Sequence, residues 1–588
     1  MNPRPVRIGN CSGFYGDRID AAREMLDGGP IDVLTGDYLA ELTMLILWKA
    51  KQKDPRGGYA KTFLSQMEQV FTDCVNRGVK VVSNAGGLNP AGLADQLGKL
   101  AGELGLQARI AYVYGDDLVG RMDQLIAEGH SLANMDTGQP LGEAGVRPVS
   151  ANAYLGAWGI VEALRAGADV VVCPRVTDAS LVVGPAAWWH GWKRTDYDAL
   201  AGAVAAGHVI ECGPQATGGN YSWLHEIVDL RSPGFPIAEV AEDGSTVITK
   251  HHGTGGLVSP GTVTAQLLYE IAEPQYFNPD VVTHFDTLQL EQQATDRVLI
   301  TGTRGTPPPD QLKVAVNYLG GYRNTMTLVI TGLDIEEKAA RAERQLFEIL
   351  GGKDSFAETD VQLIRFDHPN AESNVEATAH LRITVKDPDA RKVGRRFSNA
   401  TMELALGGYA GFHTTTPPSG ESAYGIYWPT LVPTGVVEHR VVLPDGTERV
   451  VEHSPPAETT ELMGTGGPVP AAPVFGESVR APLGRLCAAR SGDKGGNANV
   501  GVWTRKASAY AWLREYLTVD RMRALLPEAA DLEIRRFELP NLHGVNFVII
   551  GLLGAGVASA TRPDPQAKGL GEYLRSRYVD IPVELLTE

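Results

Sequence analysis

The sequence predicts an α/β protein. It has an amino-terminal open, mostly parallel sheet with helices on both faces, a mixed α/β middle region, and a small α+β carboxyl-terminal domain. Three observations predict it. Short apolar runs alternate with helix-length segments through the first third of the chain, the pattern of βαβ units. Those runs lack strict polar alternation, as strands covered on both faces do. A stretch rich in Pro, Gly, Ala and Thr at residues 454–478 sets off residues 479–588 as a unit of their own.

Five strands are expected in order at residues 6–8, 31–34, 79–83, 108–113 and 169–173, with helices at 18–26, 38–51, 59–77, 90–104 and 156–166 between them. Most of these strands run out into Gly, Asn, Asp, Ser or Cys. In an open α/β sheet the ligand crevice lies beyond the carboxyl ends of the strands, and small or polar residues there allow close backbone approach. The same residues also serve as turns and helix N-caps. Residues 200–350 carry glycine loops and several further strands, one at 247–250, then a charged amphipathic helix at 334–350. A helix at 392–406 and a hairpin at 436–451 around Pro444-Asp445-Gly446 follow. The expected domains are 1–453, with room for a break near 200–350, the linker 454–478, and 479–588. In the last, strands at 483–488, 532–539 and 544–553 and helices at 507–526 and 566–578 suggest a split βαβ sandwich.

Composition narrows the function. Of 588 residues, 43% are hydrophobic and 21% charged, which suits several buried cores. The net charge of −17 argues against a broad nucleic-acid or anionic-membrane footprint. Cys11, Cys74, Cys173, Cys212 and Cys487 are odd in number and far apart, so neither a disulfide framework nor a zinc ribbon is expected. The first residues lack a signal-peptide apolar region, and the longest apolar stretch, 547–560, is short and contains glycines. A cytoplasmic homo-oligomer is the expectation.

Four groups of residues can carry chemistry. His208-Val209-Ile210-Glu211-Cys212, read as a strand, puts His208 and Cys212 on one face and Glu211 on the other. Cys212 offers a nucleophile, Glu211 and His208 an acid or base, and a buried inert thiol is the alternative. Asp37, Glu41, Asn84, Gly86, Gly87, Asn89, Arg175 and Asp178 follow strands and converge on one crevice if the sheet is doubly wound. Carboxylates with an arginine there suit an acyl or carboxylate substrate, although Asp37 equally fits an N-cap. Gly253-Thr254-Gly255-Gly256, after His251-His252, forms a candidate anion nest. Adjacent histidines on a strand alternate sides, so no metal ligand is assigned. Arg490-Ser491-Gly492-Asp493-Lys494, expected as a loop after a strand, offers backbone N–H groups and two cations to a phosphate or carboxylate. Neither it nor the first loop, with glycines at 9, 13 and 16, matches a nucleotide-binding fingerprint.

NAGGLNPAGLA (84–94), the string at 150–185, GHVIECGPQATGG (207–219) and KHHGTGGLVSPGTVTAQLLYE (250–270) resemble the acyclic terpene utilisation family, AtuA type. ARSGDKGGNANVGV (489–502) resembles the ferredoxin-fold domain that accompanies it. The resemblance implies bacterial breakdown of citronellol- or geraniol-type terpenes, or of branched acids, as CoA thioesters. It implies neither a reaction nor catalytic residues.

The function expected is a hydratase or C–C lyase acting on a branched acyl-CoA, with CoA entering only as part of the substrate and no separate cofactor. Two alternatives are a non-catalytic acyl-CoA-binding or carboxylase-assembly partner, and a thioester hydrolase or acyltransferase using Cys212.

Overall fold

The structure, a computed structural model, describes residues 4–229, 231–456 and 474–587. It divides into two compact units. The larger comprises Met1–Asn317, Tyr427–Val557 and Asp564–Glu588; the smaller comprises Tyr318–Ile426 and Ala558–Pro563.

The larger unit is built on an open sheet. Its centre is β1 (Val6–Asn10), β2 (Val33–Gly36), β3 (Lys80–Ser83), β4 (Ile110–Tyr114) and β6 (Val170–Val172), in the spatial order β1-β2-β3-β6-β4 and all parallel. The intervening β5 (Pro148–Ala153) leaves this sheet and pairs with the strand that starts at Gln311. Six more strands extend the sheet. β7 (Pro236–Val240), β8 (Thr246–Lys250), Arg297–Thr301 and Gln289–Ala294 continue beyond β1; Arg440–Val442 and Glu448–Val450 continue beyond β4. All six flanking pairings are antiparallel. The parallel character expected for most of the sheet thus belongs to its core, where helices cross over between strands. Flanks joined by tight turns close as hairpins.

Helices cover both faces. Ala21–Asp27, Lys61–Arg77 and Pro90–Glu103 pack together, with Leu34, Val81, Val170, Ile110 and Tyr112 beneath them. Trp158–Arg165, Ser180–His190 and Tyr197–Ile210 form a second packed layer. A Cβ on Gly159 of that layer would press on Val113. Val113 lies next to Tyr112 on β4, and successive strand residues face opposite ways, so the two layers lie on opposite sides of the sheet.

In the tail, four antiparallel strands pair in the order Ala488–Lys494, Asn497–Trp503, Gly544–Ile549 and Ile534–Leu539, with helices Ala507–Tyr516, Val519–Leu525 and Leu570–Ser576 against them. The expected split α+β sandwich is present. The loop expected at 490–494 is not: those residues are paired strand, and the turn comes at Gly495-Gly496. Most of the expected linker, residues 457–473, lies outside the described residues.

The smaller unit packs helices Ile335–Leu350 and Arg395–Gly407 on antiparallel strands that include Glu358–Arg365 and Thr378–Asp387. Leu346, Phe347, Phe397 and Ile383 form its core.

Candidate functional site

The carboxyl ends of β2, β3 and β6 supply the first wall of the site. Asp37 directly follows β2 and is 5% exposed. One of its oxygens accepts from Asn84 Nδ2 at 2.7 Å and from the Leu39 amide at 3.0 Å. Asn84, just past β3, in turn accepts from the Tyr38 amide at 2.8 Å. Arg175, after β6, is buried against the Tyr154 ring, its guanidinium carbon 4.2 Å from the ring centre. It donates to the Leu39 carbonyl at 2.8 Å and to Asp178 Oδ1 at 2.6 Å. Behind it, Asp116 accepts from Asn152 Nδ2 at 2.7 Å and from the Arg175 amide at 3.3 Å.

The second wall corrects the sequence reading. Residues 208–212 are not a strand: His208 lies in the last turn of the helix Tyr197–Ile210, and Glu211 caps it. The segment is almost wholly apolar and buried, so it shows no face periodicity to separate helix from strand. The helix puts His208 and Glu211 three residues apart on one face, with His208 Nδ1 3.4 Å from Glu211 Oε1. Gly13, in the first loop, lets that loop lie on the Cys212 backbone; a Cβ there would come within 2.5 Å of the Cys212 carbonyl carbon. The helix end thereby reaches the sheet edge. Carboxyl oxygens of Asp37, Asp178 and Glu211 all lie within 4.8 Å of one another.

Burial sets the electrostatics. Desolvation, reinforced by Asp178, pushes the Asp37 and Glu211 carboxyls well above the usual range; Arg175 opposes this. His208, packed between Tyr276 and Phe285, is driven down to about 4 by burial. Burial, with Glu211 and Glu270 nearby, pushes the Cys212 thiol up. That disfavours the thiolate a nucleophile needs. Glu211 Oε2 is buried with no hydrogen-bond partner.

The tail closes the site, and here sequence reasoning missed a residue. Glu270 adopts a positive φ of 56°, unusual for a residue with a side chain. Its amide donates to Asn499 Oδ1 at 2.8 Å and its carbonyl accepts from Lys494 Nζ at 3.1 Å. Tyr269 lies under the Arg490 guanidinium at 4.2 Å and the Lys568 ammonium at 4.4 Å. Lys568 also stands 3.8 Å from Glu270 and 3.9 Å from Asp493. The signal for Glu270 was its position just after an apolar helical run; nothing local marked Lys568.

The other expected site residues are engaged in local hydrogen bonds and close packing. Asn89 caps the helix Pro90–Glu103, accepting from the Gly92 amide and donating to the Arg56 and Gly57 carbonyls. The Gly86 amide donates to the Cys173 carbonyl and that of Gly87 to Asn84, which ties the β3 and β6 loops together. The nest expected at 253–256 is spent internally. Gly255 and Gly256 donate to the Ser232 and Asp229 carbonyls, Thr254 Oγ1 to His251, and Gly253 completes the turn at positive φ. Ser491 Oγ donates to the Ala567 carbonyl and accepts from Gly571. Gly492 leaves room for the Tyr269 ring. Near the tail the charged groups around Glu270 are therefore the side chains of Arg490, Lys494 and Lys568, not glycine-loop amides. The side chain of Glu41 lies outside the described residues.

Fold and site together define an α/β protein with a buried acid cluster at the carboxyl edge of its parallel strands and a small α+β domain docked over it. The chain belongs to the acyclic terpene utilisation family: the model for acyclic terpene utilisation family protein AtuA matches residues 6–443. The AtuA ferredoxin-like domain matches residues 481–580. No curated protein and no solved structure matches the chain.

Proposed function

We propose that this protein is an enzyme of branched acyl-CoA breakdown that adds or removes water, or breaks a C–C bond, by acid–base catalysis. The observation that supports this most directly is the meeting of Asp37, Asp178 and Glu211 beside Arg175, with Asp37, Glu211 and Arg175 buried. A carboxyl group whose hold on its proton burial strengthens can serve as a proton donor. In the hydration direction, water adds its hydroxyl to the β-carbon of an unsaturated thioester and the Glu211 carboxyl delivers a proton to the α-carbon. The carboxylate so formed recovers its proton from the water that was consumed. Arg175 neutralises charge on the thioester oxygen as the enolate develops. Arg490, Lys494 and Lys568 give the anionic part of the substrate a cationic wall. In this reading residues 1–453 carry the chemistry, 454–478 connect, and 479–588 complete the wall of a cytoplasmic homo-oligomer.

The test is deuterium incorporation at the α-carbon of branched unsaturated acyl-CoAs in D2O. Exchange should fall by about 10²–10⁴-fold in Glu211→Gln and persist in Cys212→Ala. Tight acyl-CoA binding with neither exchange nor turnover would make the protein a carrier instead.

A further inference from the structure

The three carboxyl groups at the sheet edge come from three separate elements: the turn after β2, the loop after β6 and the carboxyl end of the helix Tyr197–Ile210. Their oxygens lie within 4.8 Å of one another. Like charges so close repel strongly when water is excluded, and Asp37 and Glu211 are 5% and 8% exposed. One cation among the side chains already described makes direct contact: Arg175, on Asp178. With all three carboxyls ionised, the state a bound cation would select over the protonated one, it offsets one negative charge of three. What remains equals the charge of a divalent ion.

Two observations outside the acid count point the same way. Glu211 Oε2 is buried and lacks a hydrogen-bond partner, whereas buried polar atoms are normally paired. The neighbouring His208 is 1% exposed, and its Nδ1 stands 3.4 Å from the other Glu211 oxygen. A histidine beside a ligating carboxylate orients it. The carboxyl end of a 14-residue helix adds the negative pole of its dipole at the same point.

We propose that Asp37, Asp178 and Glu211 bind one divalent cation of the hard, oxygen-seeking class, magnesium or manganese. All three donors are carboxylate oxygens, which suits these ions better than zinc or copper. An octahedral ion held by three such oxygens keeps positions for water and for a substrate oxygen. Loaded, the site would offer a cation to a substrate oxygen, and Glu211 would then hold the ion rather than a proton. The inference concerns the same residues as the acyl-CoA reading but does not rest on its substrate, because binding is read on the protein alone.

The experiment titrates chelator-stripped, full-length protein with MnCl2 and follows free Mn²⁺ by its electron paramagnetic resonance signal. One Mn²⁺ per chain, displaced by Mg²⁺, is expected, with affinity at least tenfold weaker in Glu211→Gln and in Asp178→Asn. Absence of saturable binding, or binding unchanged in both folded variants, overturns the proposal. If a variant does not fold, anomalous diffraction from the manganese complex of the unaltered protein decides. Density between the three carboxylates supports the site, and density only elsewhere refutes it. Failure here with α-proton exchange intact would leave the acyl-CoA reading standing.

Discussion

Asp116 shows how one buried group sets the behaviour of its neighbours. It accepts from Asn152 and from the Arg175 backbone, and burial pushes its carboxyl up to about 7. The folded protein therefore holds a proton there that the unfolded chain releases near pH 4. Between those values the native state binds more protons, so this group's contribution to stability declines as pH rises from about 4 to about 7 and is constant above. Asp116→Asn keeps the shape and removes the titration. Its melting temperature should fall less between pH 5 and 8 than that of the unaltered protein, and equal slopes would refute the assignment. The sequence marked Asp37, Asn84, Arg175 and Asp178 because each follows a strand. It did not mark Asp116 as special, since a second Asp in a turn looks like any cap. Glu211 was read as a candidate on a strand, whereas it caps the helix Tyr197–Ile210.

At the scale of elements, the strand Ala488–Lys494 matters most, since it was read as a loop. Three glycines in nine residues suggested a nest, yet they serve other purposes. Gly495 takes a positive φ in the turn, and Gly492 admits the Tyr269 ring. Gly492→Ala should push on that ring and cost about 1–3 kcal/mol, as overpacking does. A lowered unfolding midpoint in urea with an unchanged m-value would show it; an unchanged midpoint would mean the ring moves freely. Most of the βα units were legible because apolar runs and turn residues alternate there. β5 was not: Pro148–Ala153 is short and mixed in character, and its partner lies more than 150 residues away. Long-range pairing leaves no local trace.

Within the larger unit, the tail is fastened by polar contacts as well as packing. Asn499 bonds the Leu268 carbonyl and the Glu270 amide; Asn546 bonds the Ile271 and Ala272 carbonyls. Ser222 Oγ accepts from the Ala489 amide at 3.1 Å, and Arg575 donates to the Ser222 carbonyl. These bonds predict that a protease site engineered between residues 457 and 473 can be cut without parting the fragments. The two pieces should co-elute by size exclusion in native buffer, and separate elution would contradict the docking. Asn546→Ala should weaken the cut complex by roughly 1–3 kcal/mol, because it strands two carbonyls. The sequence set off residues 479–588 as a unit but gave no sign of where they rest. Its asparagines look unremarkable until the chain they bind is in place.

Two asparagines from neighbouring tail strands thus hold the backbone on which Glu270 stands, at a dihedral it would not choose unaided. Were the two parts made as separate polypeptides, the larger would emerge with carbonyls seeking donors and an acid free to relax away. Such a split pair would have to assemble before Glu270 took its place beside Asn499 and Lys494, and the amount assembled would then track the concentration of the scarcer partner.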